Sequence, residues 1–188
     1  MKEYIIIAGI NGTGKSSLRG AFEIDEKELG YIIDADLIAK ENNYDNIKSG
    51  KQAIAEINYC LENNLSFTQE TTLSGHRTVN TIKQAKKQGY YVTLFYVGLN
   101  SVEKCLERIS QRVKDGGHNI PEELVIHRYN NRIKSLENVI PLCDKVVFVD
   151  NEKGFLKVAE MRNHKFLYTN GLRPEWLCEI VKQLGIRS

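Results

Sequence analysis

Residues 9–16 read Gly-Ile-Asn-Gly-Thr-Gly-Lys-Ser and follow an apolar run at 4–8. The spacing G-x-x-x-x-G-K-S/T constrains the fold because it works only at one kind of junction. A strand must deliver the chain into a glycine-rich turn whose backbone N–H groups wrap a phosphate. A helix must begin there, with its positive dipole end facing the anion. In that geometry Lys15 reaches the β- and γ-phosphates of a nucleotide and the Ser16 hydroxyl ligates Mg²⁺. Gly9, Asn11, Gly12, Thr13, Gly14, Lys15, Ser16 and Ser17 are the candidate nucleotide-binding residues, with Ser16 the candidate metal ligand.

The rest of the chain suits such a junction. Short β-rich apolar runs at 4–8, 31–33, 66–70, 91–97 and 145–149 alternate with stretches of helical period, including 51–62 and 76–88. Alternating β and α units predict an α/β fold with a parallel sheet covered on both faces. Ligands in such folds bind at the carboxyl ends of the strands. The rim positions are therefore the phosphate loop, 34–36, 70–72, 98–100 and 150–151. Two short runs flank Arg162-Asn163-His164 within 155–168 and predict a hairpin. A last helix is expected over 174–184, with Trp176 packed in the core. This divides the chain into a core at 1–151, containing a helical segment at about 102–136, and a C-terminal hairpin and helix at 152–188 packed on it.

A net charge of +2 gives no electrostatic case for nucleic acid or a membrane surface as partner. Cys60, Cys105, Cys143 and Cys178 stand singly, which fits free thiols in a reducing compartment. No apolar stretch reaches membrane-spanning length, so a cytoplasmic protein is expected.

Several residues beyond the loop can carry chemistry. Asp36 lies 21 positions after Lys15, just past the second strand. A carboxylate on that rim can take the proton of an attacking hydroxyl, or it can cap the helix that follows or stand in the outer shell of Mg²⁺. Asp34, two residues earlier, competes for the same role. Glu70 ends the third strand and can hold Mg²⁺ through water or bind a substrate hydroxyl, while Thr72 can donate to substrate. Between 102 and 136 two helices are expected, joined by a turn that contains Gly116, Gly117 and His118. They carry Arg108 and Arg112, then Arg128 and Arg132, each pair spaced i,i+4 on one face. A glycine hinge between arginine-bearing helices suits a lid that closes on ATP and brings guanidinium groups to the transferring phosphoryl. The histidines lack metal-site spacing.

The runs GINGTGKSSLR, IIDAD, TQETTLSG, the GGHNIP turn after Arg112 and HRYNNRIKSL, in this order, resemble the zeta-toxin-like P-loop kinases over about residues 1–151. More closely the chain resembles the small stand-alone predicted ATPase branch of that family. The resemblance implies a three-layer core like that of nucleoside monophosphate kinases, with a five-stranded parallel sheet of order 2-3-1-4-5 and a helical lid. It implies ATP and Mg²⁺ as cofactors, and a small-molecule phosphoryl acceptor that in characterised zeta toxins is UDP-N-acetylglucosamine. Carried over by residue, Lys15 and Ser16 contact phosphate and metal, and Asp36 is the catalytic base. Glu70 and Thr72 bind the acceptor, and Arg112 and Arg128 are the lid arginines. A small protein antitoxin is the partner such toxins have. Ser74 departs from the basic residue of their Thr-Leu-Arg run. The expected function is ATP-dependent phosphotransfer to a small-molecule hydroxyl, the alternatives being another metabolite as acceptor or an ATPase switch.

Overall fold

The computed structural model describes residues 1–21 and 29–187, and the side chains of Arg19, Ala21, Asp36 and Asn46 lie outside the described residues. The strand β1 (Glu3–Ala8) is central, and Tyr4, Ile6, Ile7 and Ala8 have no exposed surface. A strand flanked by parallel neighbours and covered on both faces reads as one unbroken apolar run. β2 (Tyr31–Asp34), β3 (Phe67–Thr71), β4 (Tyr91–Gly98) and β5 (Lys145–Asp150) join it in parallel, in the order β2-β3-β1-β4-β5. That is the order the resemblance implies. The five-stranded, all-parallel expectation needs correction, because the sheet has seven strands and is mixed. β6 (Leu156–Arg162) pairs antiparallel with β5, and β7 (Lys165–Tyr168) pairs antiparallel with β6. The hairpin thus extends the sheet instead of lying on it. Its two-residue turn places Asn163 and His164 both at positive φ, 48° and 61°, as the twist of a tight hairpin requires.

Side-chain alternation sorts the strands between two apolar layers. Tyr4, Ile6 and Ala8 point into a large core with α3 (Asn46–Glu62) and α4 (Arg77–Lys87). Ile5 and Ile7 point the other way, where Leu18 of α1 (Lys15–Ala21) meets Val97, Val147 and Val149. The short helix α2 (Ala35–Glu41) follows β2 directly. The helix α3 starts ahead of the expected position 51. Asp45 accepts hydrogen bonds from the backbone N–H groups of Ile47 (2.9 Å) and Lys48 (3.0 Å) and caps an additional turn.

The segment after β4 forms three helices, not two: α5 (Val102–Lys114), α6 (Glu122–Asn130) and α7 (Arg132–Val139). A third apolar cluster, Ile10, Leu99, Cys105, Ile109 and Val125, ties α5 and α6 to the phosphate loop. Asn131 interrupts the second predicted helix. Its side-chain amide donates to the His127 carbonyl (2.8 Å), and the Arg132 guanidinium donates to the Tyr129 carbonyl (2.8 Å). Side chains that take backbone carbonyls compete with the helical ladder.

The last helix, α8 (Glu175–Gln183), carries Trp176 into the core at 2% exposure, as expected. Its indole N–H donates to Asp150 Oδ1 (2.8 Å). A Cβ added to Gly98 would lie 2.3 Å from the Trp176 ring, so only glycine admits the indole at the end of β4. Gly98→Ala is expected to destabilise the fold by about 1–3 kcal/mol through overpacking. At this chain length each kcal/mol lowers Tm by roughly 2–4 °C. A thermal melt with a parental Tm would show that the ring yields at no cost.

Candidate active site

The phosphate loop leaves β1 at Gly9 and turns into α1, where the N–H groups of Ser17 and Leu18 both donate to the Gly14 carbonyl (3.1 and 3.2 Å). Gly12 sits at φ 84° with the Cys105 carbonyl 2.4 Å from where a Cβ would stand, so the loop lies against the backbone of α5. Burial pushes the Cys105 thiol up to about 12, outweighing the nearby Arg108 and Lys15 charges. It remains a neutral packing group, not a nucleophile.

Among the cavities of the described residues at the carboxyl ends of the strands, two are lined by both Asn11 and Lys15. The first, about 370 Å³, is walled by Gly12, Gly14, Lys15, Ser16 and Ser17 of the loop, Arg108 and Arg112 of α5, and Asn151 and Phe155. The second, about 560 Å³, lies over the ends of β2 and β3 and is lined by Asp34, Gln69, Glu70, Thr72, Ser74 and Arg128 among others. The loop and its preceding strand therefore separate a phosphate-binding chamber from a polar one.

Within this geometry the sequence-derived candidates fall into groups. Lys15 Nζ donates to the Ile10 carbonyl (3.1 Å), and Ser16 Oγ donates to Glu70 Oε2 (2.8 Å). Thr72 lines the second cavity and shares a 2.9 Å hydroxyl contact with Ser74. Gly9 and Thr13 line neither cavity. Thr13 is buried and donates through its hydroxyl to the Ile10 carbonyl (2.9 Å), and a Cβ on Gly9 would meet Thr13 and Val97. Both shape the loop from beneath. Asp36 is the second residue of α2, and its side chain lies outside the described residues. Asp34 is buried at the end of β2, opposite Glu70, and its Oδ1 accepts from the Leu37 N–H (3.2 Å). It is the residue that caps α2.

The arginines separate. Arg112 lines the loop cavity and donates to the His118 carbonyl (2.9 Å), which braces the turn between α5 and α6. The His118 ring stacks on Tyr44, 3.9 Å between centroids, which joins that turn to the segment between α2 and α3. Arg128 reaches the second cavity and donates to Asn11 Oδ1 (2.5 Å). Arg132, expected on the face of Arg128, turns away. Its guanidinium stacks 3.8 Å from the Tyr129 ring centroid and pairs with Glu179 of α8. The helix break at Asn131 explains the divergence.

Sequence reasoning placed Arg108 with Arg112 and position 151 on the rim, and passed over Phe155. Arg108 donates to the Asn151 carbonyl (2.6 Å) at the loop cavity. Asn151 donates through its amide to the Thr13 carbonyl (2.8 Å), and Phe155 stands beside Gly14. Asp150, the neighbour of Asn151, instead serves Trp176. Among the described residues no group of His, Cys, Asp and Glu forms a metal cluster, and no helix is long and apolar enough to cross a membrane.

A parallel core of this order, a phosphate loop between two chambers and arginines from an adjoining helical segment define a nucleotide-binding protein of the P-loop kinase class. The sequence model of the zeta toxin family matches residues 1–170, and the chain belongs to that family. The match runs past position 151 into the β6–β7 hairpin. Membership supports nucleotide use and phosphotransfer. An uncharacterized protein of Haemophilus influenzae is 42% identical over 130 residues, 66% of this chain and 91% of its own length. Solved structures share the fold, these two among them. A chain of the PezAT chromosomal toxin-antitoxin system of Streptococcus pneumoniae superposes with a TM-score of 0.64 at 13% identity, over 98% of this chain and 85% of that one. A chain of the AvrRxo1-ORF1:-ORF2 complex with ATP gives 0.71 at 15% identity, over 98% of this chain. The match covers only 63% of that longer chain.

Proposed function

We propose that the protein is an ATP-dependent kinase that phosphorylates a hydroxyl group of a small molecule, with UDP-N-acetylglucosamine the first acceptor to test. The observation that carries this reading is the pair of cavities meeting at Asn11 and Lys15. A hydrolase or a switch needs only the loop chamber, whereas a second polar chamber abutting it gives an acceptor a place to stand. ATP enters the loop cavity, its phosphates cradled by Gly12–Ser17 and faced by Arg108 and Arg112, its base toward Asn151 and Phe155. The acceptor enters the second cavity, held by Glu70 and Thr72 and faced by Arg128.

In the transfer, the acceptor oxygen forms a bond to the γ-phosphorus while the bond to the β,γ-bridging oxygen breaks. The hydroxyl proton passes to the carboxylate of Asp36, and ADP leaves with the bridging oxygen's charge. Lys15, Arg112 and Arg128 offset the charge spread over the transferring group. The Ser16–Glu70 hydrogen bond fits a Mg²⁺ site, because both oxygens are hard donors at the edge of the phosphate loop. Ser16 and Glu70 are the residues that would hold Mg²⁺, which would supply neutralisation of the phosphate charge there. A protein antitoxin as partner is supported by family membership and by the toxin-antitoxin system that shares the fold.

The test is incubation of the protein with ATP and a metabolite panel that includes UDP-N-acetylglucosamine, read by the mass of products. A gain of one phosphoryl group on one metabolite is expected. ATP hydrolysis indifferent to every acceptor would instead establish an ATPase. An unchanged nucleotide sugar with another product formed would reassign the acceptor alone.

A further inference from the structure

β3 turns Phe67, Gln69 and Thr71 to one face, in register with Tyr4, Ile6 and Ala8 of β1. That row begins in the apolar core and ends at Thr71 on the cavity; Gln69 lies between Ile6 on one side and Ile33 of β2 on the other and is 8% exposed. A carboxamide at such a place is costly unless its atoms are hydrogen-bonded. Its oxygen is provided for: the fully buried Tyr4 hydroxyl donates to Gln69 Oε1. Burial drives the Tyr4 phenol well above its ordinary range, so it keeps its proton and needs an acceptor.

The phenol is held by an aromatic ladder. Tyr4 stacks on Phe67 at 4.4 Å between centroids, and Phe67 meets Tyr90 edge-on at 5.9 Å. The Tyr90 hydroxyl donates in turn to the Leu65 carbonyl (2.9 Å). With Oε1 committed to Tyr4, the amide nitrogen of Gln69 is the end left for the cavity that Asp34, Glu70 and Thr72 line. The polar pair therefore presents a fixed carboxamide at the point where the apolar core meets that cavity.

We infer that Gln69 is a specificity-determining residue for the phosphoryl acceptor, its Nε2 donating to an acceptor oxygen beside the reacting hydroxyl, and that Tyr4 positions it by fixing which way the carboxamide faces. The inference rests on the kinase reading above. The acceptor class it selects carries a carbonyl, ether or hydroxyl oxygen next to the phosphorylated group. An analogue without that oxygen leaves the amide unpaired and is rejected.

The experiment compares the parent with the Tyr4→Phe/Gln69→Leu double variant, using ATP labelled in its γ-phosphate. The acceptors are UDP-N-acetylglucosamine and a panel of sugars, sugar phosphates and nucleosides. Replacing both partners by apolar groups of similar shape keeps the fold, so the melting temperature stays near the parent's. The acceptor KM is expected to rise about tenfold, with kcat at saturation and the KM for ATP unchanged. The analogue of the acceptor without the neighbouring oxygen should show the same loss with the parent and no further loss with the double variant. Tyr4→Phe alone, which frees the carboxamide to turn, should give a smaller KM rise and serves if the double variant does not fold. A parental acceptor KM in the folded variants would show that Gln69 serves only to satisfy Tyr4, and would overturn the inference. Labelled product from no acceptor with the parent would overturn the kinase reading and this inference with it, and the two failures are told apart by whether product forms.

Discussion

Asp36→Asn is expected to lower phosphotransfer by about 10²–10⁴-fold while leaving ATP affinity unchanged. The substitution keeps the size and hydrogen-bonding capacity of the side chain and removes only its ability to accept the acceptor's proton. The contrast with Asp34 makes the experiment decisive. Asp34 accepts from the Leu37 N–H and caps α2, the helix that carries Asp36 as its second residue. Asparagine caps a helix about as well as aspartate, so Asp34→Asn should keep most activity and most stability. Turnover of both variants, with ATP binding measured by calorimetry, separates the roles. A large loss for Asp34→Asn together with near-parental turnover for Asp36→Asn would exchange them.

Lys15→Ala is the second large effect, a fall of about 10²–10³ in kcat, comparable with removing one charged or oxyanion-type donor at a reacting centre. Lys15 Nζ donates to the Ile10 carbonyl at 3.1 Å, so the ammonium rests within the phosphate loop at the boundary of the two cavities. Its charge is needed most when the γ-phosphoryl group is between oxygens, so the loss should fall on kcat more than on ATP binding. Lys15→Arg should restore little, because a planar guanidinium is a different shape from a compact ammonium. Single-turnover transfer measured beside equilibrium ATP binding tests this. Parental turnover in Lys15→Ala would mean that the loop binds a nucleotide it does not help to react.

Much of the fold was legible because its signals are local. Central strands such as β1 and β5 are near-continuous apolar runs, and the phosphate loop carries its glycines and lysine in sequence. What escaped depends on distant partners. Val125, Tyr129, Ile133 and Leu136 keep a helical period straight across Asn131, so periodicity alone could not separate α6 from α7 or Arg128 from Arg132. The hairpin was readable from its turn, whereas its pairing with β5 is a tertiary event. Of the candidate site residues, Lys15, Ser16, Glu70, Thr72, Arg112 and Arg128 were named from local motifs, and the structure places them around two cavities. Gln69 was not, since Tyr4, its partner 65 positions away, reads in the sequence as one more apolar strand residue.

The helices that carry Arg112 and Arg128 are secured unequally at their two ends. Near the junction of α6 and α7, the Tyr129 hydroxyl donates to the Asn100 carbonyl (2.8 Å), while Asn100 Oδ1 accepts from the Trp176 backbone N–H (3.2 Å). Arg132 adds its pairing with Glu179. At the far end the turn through Gly116 and Gly117 is clasped across the cleft by the ring stack of His118 on Tyr44. The turn that offers its carbonyl to Arg112 is thus tied to the segment before α3, while the α6–α7 junction is tied to the C-terminal helix, so the two ends of the arginine-bearing segment answer to different parts of the fold.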